Sequence, residues 1–154
     1  GFIRHFCLFF LSRNDYGYIF KTIYRCERST QIIMPTINGT GDYSRDFTYI
    51  DNVVEMNLLA MQTNNPQAVN QIYNTACGER TTLNTLFGYL KKYLSEYDSK
   101  ISDIQPVYGP NRQGDIPHSL ASIEKAKRLL GYNPKFNVEK GLREATKYYW
   151  ENLK

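Results

Sequence analysis

One short stretch near the end of the chain carries several groups that could bind a polar ligand. In RQGDIPHS, residues 112–119, Arg112, Gly114 and Asp115 stand within four residues of one another. A guanidinium offers a planar fork of hydrogen-bond donors that suits a phosphate, and an ionised carboxylate only accepts hydrogen bonds, which suits sugar hydroxyls. Gly114 would let the backbone approach a ligand closely. A plain Arg–Asp turn on the surface is the alternative interpretation.

A second arginine, Arg45, follows a glycine-rich turn, NGTGD at residues 38–42. Brought together from distant loops, Arg45 and Arg112 would form a clamp for a pyrophosphate, and each charge-assisted hydrogen bond would contribute roughly 1.5–3 kcal/mol. Beside such a clamp, Asp115 would accept hydrogen bonds from the hydroxyls of a ribose. The residue types therefore suggest a nucleotide site built from two separate segments.

Composition indicates one globular domain and argues against several classes of partner. The 154 residues are 42% hydrophobic and 22% charged, which is typical of a folded chain. The net charge of +4 is mild and no long basic run occurs, so we expect no nucleic-acid surface. The apolar stretch FCLFFL, residues 6–11, is far shorter than the roughly twenty residues of a membrane span, and we expect no membrane attachment or secretory signal.

The cysteines favour a reducing compartment. Cys7, Cys26 and Cys77 are an odd number without a CxxC pair, which predicts reduced thiols in a cytoplasmic protein. His5 and Cys7 lie close together, but without further closely spaced ligands they do not indicate a metal site.

The elements that would position these groups alternate between short strands and helices. Residues 1–30 show no clear period and are predicted to be irregular. After an extended stretch and the glycine-rich turn, strands are predicted at residues 47–50 and 71–76, and helices at 53–62, 83–94, 123–130 and 138–152. The predicted N-caps are Asp51 or Asn52, Thr82, Ser122 and Asn137, and Gly131 is the predicted left-handed C-cap. The last three predicted helices each have an apolar face that is expected to pack against the core. In chain order, these faces consist of Leu83, Leu86, Phe87, Leu90 and Leu94; Ile123, Ala126, Leu129 and Leu130; and Val138, Leu142, Ala145 and Tyr149.

This alternation predicts an α/β protein with too few strands. A self-sufficient parallel sheet usually needs about four or more strands with crossover helices. We therefore expect that much of the sheet is absent from this chain.

Three segments, residues 35–60, 70–87 and 112–153, resemble the C-terminal portion of the extended short-chain dehydrogenase/reductases. More narrowly, they are similar to NAD-dependent nucleotide-sugar epimerases of the UDP-N-acetylglucosamine 4-epimerase type. The resemblance covers residues 31–154 and rests on the ordered series Arg-Asp-Phe-x-Tyr-Ile-Asp, Tyr-Asn, Arg-x-Gly-Asp and Leu-Gly-Tyr-x-Pro. It implies part of a Rossmann-like fold, with an incomplete parallel sheet and the small, mostly helical substrate-binding domain.

The resemblance also implies roles for individual residues. Arg45 and Arg112 would contact the diphosphate of a UDP-sugar, and Asp115 the uridine ribose. Ser119 would lie beside the sugar pocket, where a small side chain leaves room for an N-acetyl group. This favours UDP-GlcNAc and UDP-GalNAc over UDP-glucose and UDP-galactose alone, although Ser119 could instead be a helix-entry hydroxyl. His118 is interpreted as a loop residue, and Tyr73 with Asn74 as the end of a strand.

Two family features are missing from the sequence. The turn at residues 38–42 has two glycines but no preceding strand–helix unit, so we do not assign it as the dinucleotide turn. No tyrosine has a lysine four positions on, whereas the family uses a Tyr-x-x-x-Lys pair for proton transfer. The resemblance implies NAD as cofactor and a homodimer, yet we expect this chain alone neither to bind NAD nor to epimerise. A non-catalytic nucleotide-binding or interaction fragment, or a product without function, is the alternative.

Overall fold

The computed structural model describes residues 3–5 and 34–152. They form two compact units, the first containing residues 3–5, 45–80 and 119–141 and the second containing residues 34–44, 81–118 and 142–152. The segment predicted to be irregular, residues 1–30, lies outside the described residues apart from a strand at Ile3–His5. The stretches of the chain that carry Arg45, Arg112, Asp115 and Ser119 are all described.

The described residues form short strands and longer helices. In chain order the strands are β1 (Ile3–His5), β2 (Thr36–Asn38), β3 (Ser44–Arg45), β4 (Tyr73–Thr75), β5 (Thr81–Thr82) and β6 (Val107–Gly109). The α-helices are α1 (Ile50–Gln62), α2 (Leu83–Ser95), α3 (Glu124–Leu130) and α4 (Val138–Asn152), and single 3-10 turns lie at Pro66–Ala68 and Ser99–Asp103. β1 pairs with β4 and β2 with β6, both in parallel, so the predicted fold class, an α/β protein with an incomplete parallel sheet, is confirmed.

The first unit is organised around the apolar face of α3. The buried core residues of this unit are Met56, Ala68, Tyr73, Ala76, Ile123, Ala126, Leu130 and Tyr132. The two tyrosines satisfy their hydroxyls inside the core, because Tyr73 donates to the Ala68 carbonyl and Tyr132 to the Ala76 carbonyl, both at 2.9 Å. Burial of a large apolar side chain contributes about 2 kcal/mol to the free energy of unfolding. This cluster therefore holds α1, β4 and α3 together.

The second unit contains α2, whose amphipathic pattern is the clearest in the chain. Its five predicted inward residues are all buried, and Tyr93 joins them. Thr82 caps the helix by accepting a hydrogen bond at its Oγ1 from the Thr85 amide at 3.1 Å, as predicted. The rings of Tyr97 and Trp150 stack with centroids 4.9 Å apart.

The end of α3 and the start of α4 follow their predictions. Gly131 ends α3 with a positive φ of 68°, the left-handed conformation expected at that position. Asn137 accepts a hydrogen bond at its Oδ1 from the Lys140 amide at 3.0 Å and so caps α4. In the described part of the chain no helix is long and apolar enough to cross a bilayer, and no cluster of three acidic, histidine or cysteine side chains could hold a metal ion.

Three local predictions were wrong. The strand predicted at 47–50 is absent, because β3 ends at Arg45 and α1 begins at Ile50. Neither Asp51 nor Asn52 caps α1, whose N-cap is Tyr49 without a side-chain hydrogen bond, because the Asn52 side chain bonds to a remote loop instead. Ser122 does not cap α3, since Ile123 occupies the N-cap and packs into the core.

Candidate functional site

The glycine-rich turn that precedes Arg45 and the loop that carries Arg112 and Asp115 leave neighbouring strands at the same edge. β2 and β6 are parallel partners from Thr36↔Val107 to Asn38↔Gly109. The glycine-rich turn, residues 38–42, follows β2, and the Arg112 loop, residues 110–118, follows β6. Because parallel strands end at one edge, both segments start from the carboxyl edge of this strand pair in the second unit.

Hydrogen bonds to the protein hold the glycine-rich turn in place. The Gly39 amide donates to the Gly109 carbonyl at 3.0 Å, which ties the turn to the end of β6. Asn84, in the first turn of α2, donates from its backbone amide to the Gly41 carbonyl and from Nδ2 to the Thr40 carbonyl, each at 3.0 Å. The turn is therefore a rigid element rather than an open loop.

The geometry of this turn does not fit a dinucleotide-binding turn. A dinucleotide turn passes from a strand directly into a helix whose N-terminus meets the pyrophosphate. Here β2 precedes the turn, but β3 follows it. The space in front of Gly41 is filled by the Asn84 side chain and that in front of Gly39 by Asn111. The turn therefore lacks the exposed glycine backbone that an approaching phosphate needs.

The Arg112 loop keeps its two predicted ligand-binding residues in one turn. The Asp115 amide donates to the Arg112 carbonyl at 3.3 Å, and Gly114 between them has a φ of 78°. Arg112 is exposed and Asp115 is half-buried. A left-handed glycine reverses the backbone here without a steric cost, so the guanidinium and the carboxylate belong to one compact structure.

The end of the Arg112 loop is bonded to Ser44. The Ser44 amide donates to the Pro117 carbonyl at 2.9 Å, and Ser44 Oγ lies 2.9 Å from His118 Nδ1. Ser44 and His118 also form an isolated parallel β-bridge. Arg45 and Ser119, both half-buried, are the residues that follow this bonded pair in the sequence.

The four predicted site residues are divided between the two units. Arg112 and Asp115 belong to the second unit, and Arg45 and Ser119 belong to the first. Within the second unit the structure brings the glycine-rich turn and the Arg112 loop to one edge, which the sequence alone did not establish. The roles of these four residues remain predictions.

The sequence interpretation missed the role of Asp46. Its carboxylate is buried and accepts hydrogen bonds from the backbone amides of Cys77 and Gly78, both at 2.9 Å. Burial raises the pKa of Asp46, and the backbone hydrogen bonds, those to Cys77 and Gly78 foremost, oppose the increase. Both carboxylate oxygens bond to the protein itself, so Asp46 holds the turn after β4 in place.

Cys77 is unsuited to nucleophilic chemistry. Burial, followed by the negative charges of Asp46 and Glu79, raises the pKa of the Cys77 thiol to about 11. Its Sγ donates to the Phe136 carbonyl at 3.2 Å. Because the thiolate is the reactive species, a thiol that stays protonated at neutral pH is inert, and Cys77 serves packing and hydrogen bonding.

Asn52 completes what we call the buried polar cluster, which consists of the buried residues Asp46 and Asn52 and the half-buried Cys77. Its Nδ2 donates to the Phe136 carbonyl at 2.7 Å. Its Oδ1 accepts from the amides of Lys135 and Phe136 at 3.0 and 3.1 Å. A fully buried amide with three backbone partners joins α1 to the segment between α3 and α4. No local pattern in the sequence signals this role, because the partners lie 83 and 84 residues away.

Comparison with known proteins gives one consistent answer. Residues 15–145 match the model of the GDP-mannose 4,6 dehydratase family. UDP-glucuronate 4-epimerase 5 of Arabidopsis thaliana is 31% identical over 149 residues, covering 89% of this chain and 32% of the plant protein. A putative UDP-glucose 4-epimerase of Methanocaldococcus jannaschii is 27% identical over 118 residues, which cover 77% of this chain and 35% of that protein.

Solved structures support the same relationship. A UDP-glucose 4-epimerase of Thermotoga maritima, crystallised with UDP-glucose, superposes with a TM-score of 0.77 at 34% identity, over 99% of this chain and 46% of the other. A UDP-N-acetylglucosamine 4-epimerase of Methanobrevibacter ruminantium, in complex with UDP-N-acetylmuramic acid, gives 0.76 at 27% identity, over 97% and 45%.

The chain spans only part of these proteins, 32% and 35% of the two curated relatives and under half of the two solved structures. The family model nevertheless matches most of the chain, and the resemblance inferred from the motifs is confirmed. This chain belongs to the GDP-mannose 4,6 dehydratase family, and it is similar to part of the UDP-sugar 4-epimerases described above.

Proposed function

We propose that this chain supplies the UDP-sugar-binding portion of an NAD-dependent UDP-GlcNAc or UDP-glucose 4-epimerase. The observation that carries the proposal is the parallel pairing of β2 with β6, which starts the glycine-rich turn and the Arg112 loop from one edge. In α/β proteins, ligands bind at the carboxyl ends of parallel strands, where loops such as these collect.

The chemistry of each residue fits one part of the ligand. Arg45 and Arg112 would bind the diphosphate, because a guanidinium pairs with phosphate through two parallel hydrogen bonds. Asp115 would accept hydrogen bonds from the ribose hydroxyls, and its place in the same turn as Arg112 matches the short distance between ribose and diphosphate in UDP. Ser119, with its small half-buried side chain, would face the sugar.

The relatives support a UDP-sugar as the ligand class without selecting one sugar. The Thermotoga maritima structure contains UDP-glucose, and the Methanobrevibacter ruminantium structure contains UDP-N-acetylmuramic acid. The small side chain of Ser119 favours an N-acetylated sugar, since it leaves room for the N-acetyl group.

The chain alone would bind the substrate and leave it unchanged. NAD supplies the hydride acceptor in this family, but the glycine-rich turn of this chain does not fit the cofactor and its sequence has no Tyr-x-x-x-Lys pair. We expect purified chain, supplied with NAD and UDP-GlcNAc, to form no UDP-GalNAc, as measured by proton NMR. Turnover under these conditions would contradict this part of the proposal. The family's homodimer, a cytoplasmic location, and the absence of nucleic-acid and membrane partners are proposed with it.

Calorimetric titration with UDP tests the binding proposal. Arg45→Ala and Arg112→Ala should each weaken UDP binding about tenfold, the equivalent of roughly 1.4 kcal/mol. Arg128→Ala is the matched control, because Arg128 is an exposed arginine on α3 and its removal changes the net charge equally. If the wild-type chain does not bind UDP, or if Arg128→Ala weakens binding as much as the other two variants, the proposal is wrong.

A further inference from the structure

The Arg112 loop is attached to the rest of the second unit at both ends. The attachment at its C-terminal end involves residues that are not among the proposed ligand contacts. At its start, β6 pairs with β2 and the Gly109 carbonyl accepts from Gly39 at 3.0 Å. At its end, His118 bonds to Ser44. The loop between these anchors carries both Arg112 and Asp115.

The attachment at Ser44 combines a backbone bond and a side-chain bond. The Ser44 amide donates to the Pro117 carbonyl at 2.9 Å, and Ser44 Oγ lies 2.9 Å from His118 Nδ1, across 74 residues of sequence. Ser44 is 5% exposed, whereas His118 is exposed. A buried serine is therefore bonded to an exposed residue at the end of the loop.

We propose that Ser44 and His118 are positioning residues for the UDP diphosphate. Ser44 immediately precedes Arg45, and His118 closes the loop that holds Arg112. A hydrogen bond between these two residues fixes the end of the loop relative to the residue before the other arginine. Without that side-chain bond, only the backbone bond from Ser44 to Pro117 would hold this end of the loop, and the additional ordering required on ligand binding would reduce the affinity. The inference rests on the proposed function.

The geometry predicts which substitutions of His118 preserve the bond. In histidine, Nδ1 is bonded directly to Cγ. In asparagine, the polar atoms Oδ1 and Nδ2 are likewise bonded directly to Cγ. Glutamine places its polar atoms one bond farther out, near the position of Nε2. His118→Asn should therefore keep the bond to Ser44, whereas His118→Gln and His118→Ala should lose it.

Titration of the full chain with UDP separates the possible outcomes. Ser44→Ala, His118→Ala and His118→Gln should each weaken binding about fivefold, and His118→Asn should stay within about twofold of wild type. The Ser44→Ala/His118→Ala double variant should bind no more weakly than either single variant. In an Arg112→Ala background, Ser44→Ala should reduce the affinity little further, because Ser44 acts through the loop that holds Arg112. A general loosening of the fold would instead add a further loss of affinity.

Three results would overturn the inference in different ways. If wild-type chain binds UDP and Arg112→Ala weakens it, but Ser44→Ala and His118→Ala bind like wild type, the positioning role is wrong and the proposed function stands. If wild-type chain does not bind UDP, the proposed function is wrong, and the positioning role is wrong with it. Equal losses in His118→Asn and His118→Gln would also overturn it, because a bond through Nδ1 requires them to differ.

Discussion

The buried polar cluster of the first unit and the Arg112 loop of the second unit use the same kinds of side chain for different purposes. Asp46 and Asn52 have their oxygens bonded to backbone amides, and both are buried. Asp115 is half-buried and Arg112 is exposed, in a loop at the carboxyl edge of parallel strands. Asp46 and Asn52 are structural because the chain itself occupies their hydrogen-bonding oxygens, and their burial distinguishes them from Asp115 and Arg112.

Substitutions in these two regions should therefore have different effects on stability and on UDP affinity. Substitutions in the buried polar cluster should reduce the stability of the fold and leave the intrinsic affinity for UDP unchanged. Removal of the Arg112 or Asp115 side chain should reduce UDP affinity and leave stability nearly unchanged. A variant that does the reverse would break the comparison.

The largest effect is expected for Asn52→Ala. It removes one donor and one acceptor that serve three backbone groups, at 2.7, 3.0 and 3.1 Å, and leaves those groups without this partner. The expected loss is about 3 kcal/mol of unfolding free energy. Urea unfolding measures the loss, and hydrogen exchange at the Lys135 and Phe136 amides should accelerate in parallel.

Asn64→Ala is the matched control for Asn52→Ala. Asn64 lies in the same unit but is exposed, so its removal should change the unfolding free energy by less than about 0.5 kcal/mol. Equal effects of the two substitutions would show that burial does not distinguish them.

A smaller effect is expected when a methyl group is added to the glycine-rich turn. Gly41 and Gly114 have nearly equal φ angles, 79° and 78°, but the space in front of Gly41 is filled by Asn84 whereas nothing lies within 4 Å of a Cβ at Gly114. Gly114→Ala should cost only backbone strain, about 1 kcal/mol, and Gly41→Ala about 1–2 kcal/mol more because Asn84 must move.

Urea unfolding of both variants separates strain from steric conflict. The two substitutions change the same residue type at matching backbone angles, so their difference isolates the loss of the Asn84 hydrogen bonds. If Gly114→Ala were the more destabilising, the glycine-rich turn would not be the rigid element that the geometry indicates.

The parts of the fold that follow local patterns were predictable from the sequence. In α2, the 3.6-residue period located the buried stripe, and Thr82 marked the start, because both signals lie within the helix itself. The segment RDFTYID was assigned wrongly, because its alternation is typical of a strand while Asp46 and Asn52 are buried by partners far away in the sequence. Local periodicity contains no information about such contacts.

For the candidate site as well, individual residues could be predicted from the sequence, but the contacts between distant segments could not. Ordered motifs in the sequence indicated four candidate residues, Arg45, Arg112, Asp115 and Ser119. The parallel pairing of β2 with β6 was not visible in the sequence of either strand. The bond between Ser44 and His118 links residues 74 positions apart, and neither residue type predicts it. Motifs thus indicated which groups to consider, and only the strand pairing showed that two of the segments leave from one edge.

The smallest effect, and the sharpest test of the comparison, is expected for Asp115→Ala. If Asp115 accepts a hydrogen bond from the ribose, its removal should weaken UDP binding about fivefold. The same substitution should weaken binding of 2′-deoxyuridine diphosphate less, because that ligand has one hydroxyl fewer to donate. The unfolding free energy should change by less than about 0.5 kcal/mol, since this half-buried side chain lies in a surface loop. Calorimetry with both nucleotides measures the difference. Loss of stability without loss of affinity would make Asp115 a structural carboxylate like Asp46, and the distinction between the two regions would fail.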